Sequence, residues 1–410
     1  MRRTLVWVIP VALLAVGSVI GLSSTQKSDR PAADVALLTP YWQRPIPPQG
    51  PPPPTFSPIE ASLAPQDCGV CHPVQYQDWQ TSLHAQSMGP GVAGQLVDLL
   101  ERTPAEALFC QTCHAPLTEQ LPKIQPVASE ATIAENPHYQ PVLRNQGLVC
   151  AACHVRQHQR FGPPKRPDAP PSPPVVPHGG VTRTVAFDRS EFCMGCHQFE
   201  ADGFALNGKL LENTYQEWQA SRYAREGVPC QGCHMPDRRH LWRGIHDPAM
   251  VKAGVTIKLT TAKPSYRPGE TLKATLQIAN SGVGHYFPTY VTPQVVIRFE
   301  LRGKDGKPLK ATQKEAVIGR EVPLDLSREL FDTRIPPGET FAINYAHKVP
   351  RAGLTFRATV TIYPDHFYTK FFQANLANGQ ASKGRAQLQQ ALKRTQESPF
   401  VLFEQEVPLE

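Results

Sequence analysis

The chain carries no stripe of basic residues interleaved with aromatics, and its net charge of +7 is mild for 410 residues. That pattern excludes nucleic acid as a partner. No cysteine stands near the apolar run Leu5–Leu22, which excludes a lipid anchor there, and no A-x-A site follows to mark a cleavage point. Methionine is scarce: after Met1 there are only Met88, Met194, Met235 and Met250. Apolar residues are not lacking. At 40% they exclude a disordered chain and allow two or three domains.

Arg2 and Arg3 precede the apolar run, giving a charged n-region followed by an h-region. Its 18 residues are long for a signal peptide and just enough to span a bilayer. Residues 1–25 therefore read as a signal peptide or an N-terminal membrane anchor. Either makes the protein exported: periplasmic, membrane-anchored through residues 5–22, or extracellular.

All ten cysteines fall into one repeated frame: Cys68-x-x-Cys71-His72, Cys110-x-x-Cys113-His114, Cys150-x-x-Cys153-His154, Cys193-x-x-Cys196-His197 and Cys230-x-x-Cys233-His234. C-x-x-C-H is the attachment signature of c-type haem. Two thiols add to the two vinyl groups on one edge of the macrocycle, and the adjacent histidine binds the iron from below. A redox pair, a zinc half-site or a disulfide set would not place a histidine after every frame with no cysteine left over. Five covalently attached c-type haems are expected. At roughly 40 residues per frame the chain cannot build a conventional apolar core around each. The haems themselves must form most of the core, packed closely enough to conduct.

Each iron needs a second ligand. Met194 lies inside a frame and Met235 beside a proximal histidine, so His/His ligation should dominate, which favours lower potentials than His/Met. His84 lies in YQDWQTSLHAQ (76–86), expected as a helix, which repeats in register as YQEWQASRYAR (215–225) with Tyr223 at the matching position. His178 sits in VVPHGG, where two glycines leave room for a ring. His240 and His246 follow the last frame in RRHLWRGIHDP, and one or both are expected as ligands. His285 lies in GVGHYFPTY, on a Gly-flanked loop able to reach a neighbouring haem. His158 reads as solvated, and His347 and His366 as structural.

The organisation follows from texture. Residues 26–66 are Pro-rich and read as an extended, semi-rigid linker, and 67–250 as a haem domain of short helices and loops. A second Pro-rich stretch, 161–177, reads as a surface excursion. Beyond 250, period-two alternation takes over: Leu272/Ala274/Leu276/Ile278, Val295/Ile297/Phe299/Leu301 and Leu354/Phe356/Ala358/Val360/Ile362. Gly303–Gly306 reads as a hairpin turn. The fold class is a mainly α/irregular multihaem cytochrome c domain followed by an all-β immunoglobulin-like sandwich over 251–410, with a C-terminal helix at 382–397 and a last strand.

The segments WQTSLHA (79–85), GLVCAACHVR (147–156), VPHGG (176–180), SEFCMGCHQF (190–199), GVPCQGCHMP (227–236), HLWRGIHDP (240–248) and GHYFPTY (284–290) resemble exported multihaem c-type cytochromes. That group is related to the tetrahaem electron acceptor of hydroxylamine oxidoreductase and often carries a C-terminal immunoglobulin-like domain. The resemblance implies that His84, His178, His240, His246 and His285 serve as distal ligands. Five frames depart from the tetrahaem pattern, so the pairing of ligands with haems does not carry over.

The leading expectation is an electron carrier working between redox partner proteins: other cytochromes, a redox enzyme or an outer acceptor. An enzyme reducing or oxidising a small nitrogen or sulfur compound would need one haem with an open position. No frame has lysine in place of its histidine, which excludes one kind of nitrite reductase. A membrane quinol-oxidising module is disfavoured by the Pro-rich spacer. A homo-oligomer or filament, in which a loop histidine caps a haem of the next copy, is the structural alternative.

Overall fold

The computed structural model describes residues 38, 40–125, 133–169 and 176–410. The apolar run 5–22 lies outside them. Among the described residues no helix is long and apolar enough to cross a membrane.

Short helices dominate the first half. Helices α1 (Pro65–Cys71), α2 (Pro73–Gln80), α3 (Pro90–Arg102) and α4 (Pro104–His114) each begin with proline in the first turn, where a missing N–H leaves nothing unsatisfied. They are followed by α5 (Cys150–His154), α6 (Glu191–His197), α7 (Thr214–Gln219), α8 (Cys230–His234) and α9 (Pro248–Gly254). Every C-x-x-C-H frame thus lies on a helical turn, with His72 capping α1. The i, i+3, i+4 spacing puts both thiols and the imidazole on one side.

Two expectations change here. The helix expected over 76–86 stops at Gln80, and His84 lies in the turns beyond it. Thr81 and Ser82 donate their hydroxyls to the carbonyls of Asp78 and Trp79 at 2.8 and 2.7 Å, offering the chain an alternative to helix. The Pro-rich stretch before α1 is not a free spacer in its described part. Ile46 is fully buried among Leu63, Leu117, Leu143 and Val149, and bridges to Leu117 as a parallel strand would. Tyr41 donates its hydroxyl to the Cys153 carbonyl at 2.7 Å. Proline lacks an N–H, so a Pro-rich segment can lie against a core with few backbone donors to satisfy.

The second half is a two-sheet antiparallel sandwich. Its strands are β1 (Val255–Thr261), β2 (Thr271–Asn280), β3 (Gln294–Arg302), β4 (Lys314–Glu321), β5 (Phe331–Asp332), β6 (Thr340–Lys348), β7 (Thr355–Tyr363) and β8 (Phe400–Pro408). One sheet runs β6-β2-β1 and the other β5-β4-β3-β7-β8. The alternating apolar positions are the inner faces: Val295, Ile297, Phe299 and Leu301 pair across with Ile362, Val360, Ala358 and Phe356, all fully buried. They pack on Leu272, Leu276 and Ile278 of the other sheet in one core. Gly303–Gly306 makes the expected turn.

Two helices interrupt the sandwich, α10 (His366–Ala377), which was not foreseen, and α11 (Arg385–Glu397). The second leaves the β domain and packs on α3. Asp98 of α3 accepts the N–H groups of Ser382 and Lys383, both at 3.0 Å, and a Cβ on Gly384 would collide with the Gly94 carbonyl at 1.8 Å. The C-terminal helix is therefore a tie between the halves.

Candidate functional site

No two of the ten cysteines are joined as a disulfide. The fold gathers their frames by neighbouring side chains: Cys68 lies beside Cys150, Cys113 beside Cys196, and Cys193 beside Cys230. Cys153 lies near enough to help raise the pKa of both Cys193 and Cys196. The first and third frames are thus neighbours, the fourth frame adjoins the second and fifth, and Cys153 of the third lies near it.

Four of the five frame histidines share a second feature. Nδ1 of His114, His154 and His234 donates to the carbonyls of Ser87, Phe161 and Arg243 at 2.7, 2.8 and 2.7 Å. Nδ1 of His197 instead faces the Tyr290 hydroxyl at 2.8 Å. Holding Nδ1 this way fixes the tautomer and turns Nε2 outward, as metal-binding imidazoles require.

Three of these rings face a second imidazole. Centroids of His84 and His197 lie 6.2 Å apart, those of His154 and His240 6.1 Å, and those of His234 and His285 6.4 Å, nearly parallel at 10°. Two imidazoles sharing one metal through Nε2, with bonds of about 2 Å, place their centroids roughly 6 Å apart. His178 adjoins His72 closely enough to lower its pKa, after burial. Nδ1 of His178, His240 and His285 is likewise held by carbonyls, of Gly180, Arg238 and Tyr286, at 3.0, 3.1 and 2.9 Å. Nδ1 of His84 is buried without a partner. These observations fit covalent c-type haem held between paired imidazoles.

Burial keeps the rings neutral, the form that binds metal. It pushes His84 down to about 3, helped by the His197 charge. His154, His197 and His285 are pushed down to about 4 by the same cause, with the Phe161 and Tyr286 carbonyls opposing at the first and last.

His246 does not join these pairs. It lies exposed, with Nε2 on Asp365 Oδ2 at 3.0 Å. Asp365 in turn adjoins Tyr368, whose hydroxyl is raised in pKa by burial and by the nearby Cys110 thiol. Among the described residues no ring contact sets an imidazole opposite His114. His158, expected in solvent, is 5% exposed, with Nε2 donating to the Gly50 carbonyl at 3.0 Å. Tyr223 packs beside the 281–284 turn and donates to the Ser281 carbonyl at 3.2 Å. That packing explains Gly284: a Cβ there would stand 3.2 Å from Trp218 and 3.4 Å from Tyr223. Tyr290 was missed by the sequence reading, although it ends the same GHYFPTY segment as His285.

Residues 67–135, which include the first two frames, match the family model described as cytochrome c554 and c-prime. No curated protein matches the chain. Among solved structures it is similar to a penta-heme cytochrome c552 from Thermochromatium tepidum. That likeness has a TM-score of 0.54 at 18% identity, covering 86% of this chain and 100% of that one, and shows a shared fold. The CARDB domain of a Pyrococcus furiosus protein follows at TM-score 0.17 and 13% identity, over 26% of this chain and 67% of that one. Frames, family match and fold together support a multihaem c-type cytochrome.

Proposed function

We propose that the protein is an exported pentahaem c-type cytochrome that carries electrons between redox partner proteins. The observation that carries this reading is the facing of imidazoles across gaps of 6.1–6.4 Å at three frames, with His178 beside His72 at a fourth. Bound haem supplies a one-electron ferric/ferrous couple. The chain's own residues space the sites, fix each ring through Nδ1 and exclude water. The count of five rests on the five frames and is supported by the likeness to a penta-heme cytochrome. The neighbouring cysteines support a route of first to third to fourth frame, with the second and fifth as branches.

A second reading attaches to the second frame. His114 has no facing imidazole among the described residues, while Tyr368 lies near Cys110 and adjoins Asp365, which holds His246. An open iron position there would allow a small ligand to bind, and with it a reductase or oxidase activity.

Haem counting and low-temperature EPR of the oxidised protein, with and without cyanide, test both readings. Five haems with at least four low-spin centres indifferent to cyanide are expected. A cyanide-sensitive fifth centre would favour the second reading. Several ligand-binding centres would sink the carrier.

A further inference from the structure

Helices α2 and α7 carry the sequence repeat, and each makes the same two connections. The Trp79 indole donates to the Leu148 carbonyl at 2.8 Å, two residues before Cys150. The Trp218 indole donates to the Val228 carbonyl at 3.0 Å, two residues before Cys230. The preceding acid turns the other way. Asp78 accepts the His240 N–H at 3.0 Å and two N–H groups of Arg239 at 2.6 Å. Glu217 accepts the N–H of Tyr286, the residue after His285, at 3.0 Å and Nη1 of Arg334 at 3.0 Å. All four side chains are buried.

Successive helical residues point about 100° apart, so one short helix can hold two separate chain segments. The segments held are those that carry facing imidazoles: His154 with His240 through α2, and His234 with His285 through α7. We propose that the pairs Asp78–Trp79 and Glu217–Trp218 are positioning residues, each clamping a C-x-x-C-H helix to the segment that bears the opposite histidine. This rests on the haem-binding reading above. The gap between the imidazoles is then set by a rigid helix, a preformed arrangement that costs little reorganisation when the site is filled. The repeat serves the clamp, and the divergence of His84 and Tyr223 at its end follows because neither connection uses that position.

The test uses the full-length, haem-loaded protein carrying Asp78→Asn or Glu217→Gln. EPR of the oxidised form and carbon monoxide difference spectra of the reduced form are read against a haem count. Asp78→Asn should leave the haem count unchanged and make one low-spin centre take up carbon monoxide at least tenfold more readily, the scale expected when an outer partner of a ligand is lost. Glu217→Gln should do so at a different centre with a different EPR signature. Trp79→Phe and Trp218→Phe, which keep the ring and lose the donor, should affect the same centres as their neighbouring acids. Unchanged spectra, a uniform change at all centres, or both acids acting on one centre would overturn the clamp. Fewer than five haems or no paired-imidazole signals in the wild-type protein would overturn the function reading first, and the clamp with it.

Discussion

At the residue scale, His197 differs from His114, His154 and His234 in where its Nδ1 proton goes. A carbonyl acceptor is inert, whereas the Tyr290 hydroxyl adjoins the Glu212 carboxyl. Tyr290 is held at φ 64°, a left-handed backbone that costs a bulky residue about 1–3 kcal/mol. Burial pushes Glu212 up to about 8, with Thr214 and Tyr290 opposing and the Glu217 charge adding. Arg334 and Asp332 stand behind Glu217. Below about pH 8 Glu212 is neutral; above it, a carboxylate behind Tyr290 would, on the proposed haem-binding reading, favour the ferric state of an iron held by His197. One midpoint potential of the five is therefore expected to fall as pH rises through about 8, and Glu212→Gln to abolish that dependence. Potentiometric titration at pH 6, 7, 8 and 9 reads it. A coupling that moves the acid's equilibrium tenfold between oxidised and reduced centre is worth about 59 mV.

At the scale of elements, legibility followed periodicity. Strands β2, β3 and β7 were readable because their apolar alternation is the core itself. Helix α10 was not read, although Phe367 with Phe371 and Tyr368 with Phe372 recur at the i, i+4 spacing of one helical face. The frames and their histidines were legible from spacing alone. Which imidazoles face each other was not, since His84 meets His197 and His285 meets His234 only through tertiary packing. The Pro-rich stretch misled for another reason: its many prolines obscured single apolar anchors. Ile46 is the one that counts, buried completely beside Leu117 and Leu143. Ile46→Ala should cost about 2–5 kcal/mol, seen as a lower denaturant midpoint, as for a core residue. A residue in a free linker would show no change.

At the scale of the whole molecule, the β half reaches the frame histidines. It contributes His285 opposite His234 and Tyr290 beneath His197. It is also fastened by side chains other than these two. Arg334 and Glu217 form an ion pair at 3.0 Å with each side chain 4% exposed. Arg320, 1% exposed, donates to the carbonyls of Leu206, Lys209 and Leu210. Ligation and docking should therefore separate by mutation. Arg334→Met leaves Glu217 buried and unpaired, so it should cost about 3–5 kcal/mol of stability. His285→Ala leaves those fastenings in place, so the denaturation midpoint should move less than in Arg334→Met. Its effect should be spectroscopic instead: one centre in five turns from low-spin to high-spin, and added imidazole restores it. If His285→Ala left every low-spin signal intact, the loop would be docking the halves without serving the iron.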